Sequence, residues 1–149
     1  MTSAPHQNAK DTNQEQSSEE RLKALLRQAG LRPTRQRMAL ASMFFNQGNR
    51  HITAESAYSE AQMAGVEVSL ATVYNALHTF TRKGLLREIS IESSRSYFDT
   101  NTEEHHHFYF EKSGKLKDIS PENIQISRLP EAPDGMDVTR VDVVIRIDG

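Results

Sequence analysis

Residues 68–84 read Val-Ser-Leu-Ala-Thr-Val-Tyr-Asn-Ala-Leu-His-Thr-Phe-Thr-Arg-Lys-Gly, a run with no internal proline or glycine. Ser69 suits a helix N-cap because its hydroxyl can accept from the open N–H groups of the first turn. Gly84 suits the position after the helix, where the backbone turns left-handed. At about 100° per residue, Leu70, Val73, Leu77 and Phe80 fall on one face and Asn75, His78, Thr79 and Arg82 on the other. A helix divided in this way needs a core on one side and leaves a polar face outside. Amide, hydroxyl, imidazole and guanidinium groups are the kinds that read base edges and bind phosphates, although an ordinary solvated face has the same composition.

Charge along the chain separates these two readings of the helix. The net charge is −2, which looks unsuited to nucleic acid until it is divided. Residues 1–20 carry one Lys against Asp11, Glu15, Glu19 and Glu20, whereas residues 21–50 carry Arg21, Lys23, Arg27, Arg32, Arg35, Arg37 and Arg50 with no acid. The remainder is acidic, so a basic binding half is joined to an acidic half. At 149 residues the chain suits one domain or two small ones. No apolar run approaches the ~18 residues of a membrane span, and the N-terminus lacks a signal pattern, so a cytoplasmic location without membrane contact is expected. Cysteine is absent, which removes disulfides, thiolate metal sites and thiol redox sensing. Any metal or cofactor falls to His, carboxylate, Tyr or Met.

Taken in order, residues 1–17 are polar and read as a disordered tail. A first helix is expected from Ser18, with Leu22, Leu25, Leu26 and Ala29 on one stripe and Gly30 as its stop. A second is capped by Thr34 and carries Met38, Leu40, Ala41, Phe44 and Phe45; a third is capped by Thr53 and ends near Gly65. With the helix after Ser69, this is helix-turn-helix order. Residues 85–91 and 95–98 around Ser93 and Ser94 then read as a hairpin, the wing of a winged helix. The expected fold is α+β: a winged helix-turn-helix domain over 18–99, a hinge at 100–104, and a small α/β dimerisation and ligand-sensing domain over 105–149 with a three-stranded antiparallel sheet. In that second domain, residues 108–119 suggest a hairpin about Gly114. Pro121 opens a short helix through Ile124 and Ile126, and residues 136–147 alternate as a strand does. So small a sheet is expected to pack on a second copy.

In this order and spacing, the run 30–37 (Gly-Leu-Arg-Pro-Thr-Arg-Gln-Arg), the run 51–58 (His-Ile-Thr-Ala-Glu-Ser-Ala-Tyr), the run 69–74 (Ser-Leu-Ala-Thr-Val-Tyr), Gly84-Leu-Leu and the His-rich strand 105–107 resemble the ferric uptake regulator (Fur) family. Asn75, Leu77-His78-x-Phe80, the run 97–102 (Tyr-Phe-Asp-Thr-Asn-Thr) and the run 105–108 (His-His-His-Phe) are most similar to its iron response regulators (Irr) of alphaproteobacteria. The resemblance implies a homodimeric transcriptional regulator on double-stranded promoter DNA. It places Tyr74 at a base-contacting position and Arg32 at a minor-groove position. Asn75 stands where an Arg is common in the family, which implies a different operator. Ser69 and Thr72 are expected at bases or phosphates, and Arg35 and Arg37 at the backbone or minor groove.

Three consecutive histidines on a strand alternate, so His105 and His107 share a face and His106 takes the other. By resemblance, His51, Asp99, His105 and His107 are ligands of a metal site between the domains, suited to Mn²⁺, Fe²⁺ or Zn²⁺. The family's structural zinc site is lost, with Phe110 and Ser113 at the first cysteine pair. Its C-terminal sensing site has Gln125 and Val141 in place of a Glu and a His. As in the iron response regulators, haem is therefore expected at His105, His106 and His107, with an exposed His106 as axial imidazole, Tyr109 or Tyr97 nearby and a haem-delivering enzyme as a further partner. Haem or metal at this hinge would set the spacing of the two reading heads, and so the affinity for DNA. His78 reads as a solvated imidazole more readily than as a contact to haem or DNA, and His6 as inert. The alternative is a metal-responsive or peroxide-responsive Fur-type repressor. An enzyme is the competing class, but no His-Glu-x-x-His, nucleophile elbow or phosphate loop is present.

Overall fold

The computed structural model describes residues 7–149, which form two units: one that ends at Thr102 and one spanning Glu103–Gly149. The division falls inside the 100–104 stretch. The first unit contains α1 (Gln7–Gln28), α2 (Arg35–Phe45), β1 (His51–Ile52), α3 (Ala54–Met63), α4 (Leu70–Arg82), β2 (Arg87–Glu92) and β3 (Arg95–Asp99). The second contains β4 (His106–Phe110), β5 (Lys115–Ile119), a 3-10 turn at Pro121–Asn123 and β6 (Val144–Ile147). No helix among the described residues is long and apolar enough to cross a membrane.

α1 starts ahead of Ser18, within the stretch read as a disordered tail; Met1 to His6, including the His6 expected to be inert, lie outside the described residues. No proline or glycine interrupts residues 7–28, and Gln, Glu, Ala and Lys propensities favour a helix throughout. Its C-terminal part docks, and Leu22 and Leu26 enter the core.

The three expected caps are formed. Thr34 accepts from the Arg37 N–H, Thr53 forms a reciprocal capping box with Ser56, and Ser69 accepts from the Thr72 N–H at 3.1 Å. α4 ends as its sequence requires: Gly84 has φ +79°, the Leu85 N–H bonds the Phe80 carbonyl at 2.8 Å, and the Gly84 N–H bonds that of Thr81. We expect Ser69→Ala to lower the stability of the first unit by about 0.5–2 kcal/mol, read as a shift of the urea midpoint at unchanged slope.

Leu40, Ala41 and Phe44 of α2, Ala54 and Ala57 of α3, and Val73, Leu77 and Phe80 of α4 close one core with Ile52, Leu86 and Phe98. Leu70 was placed with this face but lies 38% exposed at the first turn of α4. The wing hairpin gains a strand that periodicity did not show. The two-residue β1 pairs with β3, giving sheet order β1-β3-β2, and sets His51 opposite Asp99.

The second unit's sheet has order β5-β4-β6, and here the antiparallel expectation needs correction. β4 and β5 form the antiparallel hairpin, but β6 runs parallel to β4, with His107 opposite Val144. The long connection from Ser120 to Val143 allows this, because a crossover can return a strand in the same direction where a hairpin cannot. The helix expected through Ile126 is only the turn at Pro121–Asn123, and only Val144–Ile147 of the alternating run 136–147 is strand. Met136 and Val138 are exposed, so the alternation there has no sheet face to fill.

Candidate metal centre and nucleic-acid interface

In the first unit, antiparallel pairing of β1 with β3 brings His51 Nε2 to 3.2 Å from Asp99 Oδ2. Asp99 is fully buried, and its Oδ1 accepts the Asn101 N–H at 2.9 Å. One carboxylate oxygen is thus fixed by backbone while the other faces the imidazole, a common way to orient a ligating carboxylate.

In the second unit, strand alternation puts His105 and His107 on one side, with ring centroids 4.5 Å apart. The β4–β5 register sets Asp118 directly opposite His107. His105 Nε2 and His107 Nε2 lie 3.4 and 3.3 Å from the same oxygen, Asp118 Oδ1. His105 Nδ1 stands 2.6 Å from the Glu103 carbonyl oxygen, which can only accept, so that nitrogen carries a proton. In the neutral ring Nε2 then presents its lone pair toward a carboxylate, an arrangement stabilised by a shared proton or a metal ion. Two imidazoles and a carboxylate, with ligand atoms within 4.8 Å of one another, suit Zn²⁺, Mn²⁺ or Fe²⁺. Asp118 was missed in the sequence; its signal was the hairpin about Gly114, which places residue 118 across from 107.

The haem expectation meets a different geometry. His106 points away from its two neighbours, as alternation requires, but it is 6% exposed and its Nδ1 accepts the Val143 N–H at 3.1 Å. The parallel entry of β6 covers it, so the exposed axial imidazole expected at this position is not there. Tyr109 is likewise buried and lies under the Arg146 guanidinium, 5.4 Å from the ring centroid. Tyr97 belongs to the first unit's wing and is buried there.

The expected DNA contacts lie on the first unit. Arg32 and Arg35 are exposed beside the start of α2, whereas the Arg37 guanidinium is turned back to donate to the Arg32 carbonyl at 3.1 Å. The Ser69 and Thr72 hydroxyls lie 2.9 Å apart, and the Ser69 hydroxyl also caps α4. Tyr74 and Asn75 are exposed on the face opposite the buried Val73, Leu77 and Phe80. The Tyr74 hydroxyl donates to Glu55 Oε1 at 3.0 Å; this bond first, then partial desolvation and the carboxylate's charge, raise the phenol pKa above its ordinary 10.0. His78 stacks on Tyr74 with centroids 6.3 Å apart and meets the buried Phe98 edge-on at 5.5 Å.

Comparison with known proteins agrees with this arrangement. The chain is 37% identical over 117 residues to the peroxide-responsive repressor PerR of Staphylococcus aureus, covering 78% of each chain. Its fold is similar to that of the ferric uptake regulator of Vibrio cholerae, with a TM-score of 0.67 and 22% identity over 85% of this chain and 98% of the other. It is also similar to the Pseudomonas aeruginosa ferric uptake regulator solved with manganese, with a TM-score of 0.64 and 23% identity over 85% of this chain and 96% of that one. This relative is a peroxide-responsive repressor, so the narrower likeness to the iron response regulators rests on the motifs at 69–80, 97–102 and 105–108. The ferric uptake regulator family model matches residues 28–146, and the chain belongs to that family.

Proposed function

We propose that this chain is a transcriptional regulator that binds promoter DNA as a dimer, with an affinity controlled by a divalent metal ion, Mn²⁺, Fe²⁺ or Zn²⁺. The observation that carries the metal reading is the convergence of His105 Nε2 and His107 Nε2 on one oxygen of Asp118, with His105 Nδ1 committed to a carbonyl. The resemblance assigns His51 and Asp99 to the same ion as His105 and His107, and metal affinities of ligand variants in each group test that assignment. An ion held there supplies positive charge and fixed ligand geometry. The chain's own part is to present neutral imidazole nitrogens and oriented carboxylates. DNA reading falls to α4 through Tyr74 and Asn75, with Arg32 and Arg35 on the backbone or minor groove. Exposed apolar side chains of the second unit, Ile126, Leu129, Met136, Val138 and Ile145, support pairing with a second copy.

The repressor to which the chain is 37% identical makes peroxide a second input. A chain with no cysteine has no thiol to oxidise, so that input is assigned to bound iron. The test is binding to a duplex from the gene's own promoter region. We expect affinity in the metal-loaded protein to differ from that in the chelator-treated protein by about 5–150-fold, the usual range of coupling between sites. The zinc-loaded form, which has no redox chemistry, is expected to keep its DNA affinity in peroxide while the iron-loaded form loses it. Equal binding with and without metal, alongside a haem Soret band dependent on residues 105–107, would return the haem reading.

A further inference from the structure

The four residues Glu55, Tyr74, His78 and Phe98 form a rack at the outer end of the recognition face. Phe98 is buried, His78 meets it edge-on, Tyr74 stacks on His78, and Glu55 takes the Tyr74 hydroxyl hydrogen. They line a cleft of about 620 Å³ that the wing residues Ser93, Ser94, Arg95 and Ser96 also border. The Glu55 carboxylate lies in the first turn of α3. An ionised acid on the outer face of a unit whose residues 21–50 carry only basic charges has a cost for DNA binding, and no residue of the core uses it.

A phenol has one hydrogen to donate and an oxygen that can accept. With the hydrogen held by Glu55, Tyr74 meets DNA as an acceptor. In the major groove, adenine N6 and cytosine N4 offer donors, whereas guanine O6 and N7, thymine O4 and every phosphate oxygen offer acceptors only. The negative carboxylate beside the hydroxyl acts in the same direction, since it repels phosphate and bare acceptor edges. We propose that Glu55 is a specificity-determining residue that, by holding the Tyr74 hydroxyl as an acceptor, selects an amine-bearing base at one operator position. The proposal rests on the DNA-binding reading above, and its closing experiment separates the two.

Duplexes are first selected from a random-sequence pool with the metal-loaded wild-type protein, and affinities are then measured with each of the four base pairs at every position. The wild type is expected to prefer adenine or cytosine at one position by on the order of tenfold, the size of one well-placed hydrogen bond. Glu55→Ala and Tyr74→Phe should each flatten the preference at that same position, and the double variant should flatten it no further, because Glu55 acts through the hydroxyl. Glu55→Gln, which keeps an acceptor oxygen, should retain part of the preference. Glu55→Ala should also bring the Tyr74 phenol titration back toward 10.0, which confirms the contact in solution. A Glu55→Ala loss equal for all four base pairs, or an additive double variant, overturns the proposal while leaving DNA binding intact. Failure of the wild type to enrich any sequence overturns both readings.

Discussion

Metal affinity in a His105→Ala/His107→Ala double variant is expected to fall by more than about 100-fold, measured by competition with a chromophoric chelator. Loss of a single residue that only orients a ligand costs about 10–100-fold, so loss of two ligating nitrogens should exceed that range. The expectation follows from the shared oxygen of Asp118, which lies within 3.4 Å of both Nε2 atoms. His106→Ala is the internal control. Its ring is turned to the Val143 N–H, so metal affinity should stay within about threefold of wild type while stability drops by roughly the 1 kcal/mol of one hydrogen bond. Unchanged affinity in the double variant would remove the second unit from metal binding altogether, and an equal loss in His106→Ala would show that the strand, not its ligand face, was being measured.

Phe80→Ala is expected to destabilise the first unit by about 3–5 kcal/mol in chemical denaturation. The Phe80 ring has no exposed surface and meets Phe44 edge-on and Phe45 at a tilt, with centroids 6.1 Å away in both cases. No small rearrangement fills the space an alanine leaves there. Against a total stability of about 5–15 kcal/mol, such a loss brings the unit near its unfolding midpoint and takes sequence-specific DNA binding with it. Leu70→Ala, at the start of the same helix and 38% exposed, should cost only about 0.5 kcal/mol, as surface changes do. A Phe80→Ala cost below about 1 kcal/mol would contradict the packing described for α4.

The winged-helix half was legible because its signals are local. Ser69 caps within three residues, Gly84 ends α4 within five, and a 3.6-residue repeat sorts Val73, Leu77 and Phe80 to the core wherever α4 docks. The same economy explains the face shared by His105 and His107, since alternation is a property of any strand. What stayed hidden depended on partners distant in sequence. Asp118 joins the histidines only through hairpin register, Glu55 reaches Tyr74 across nineteen residues, and β1 is too short to show a period at all.

From sequence alone came the order of the helices, their caps, the basic half, the absence of any thiol and the pairing of His105 with His107. Tertiary structure alone decided that β6 enters parallel to β4, and with it that His106 is covered and hydrogen-bonded to Val143 rather than presented to a cofactor. The physical reason is one of range: dihedral preferences, caps and periodicity act over a turn or a strand, whereas the direction of a returning strand is set by the path of a long connection whose own residues carry little periodic signal.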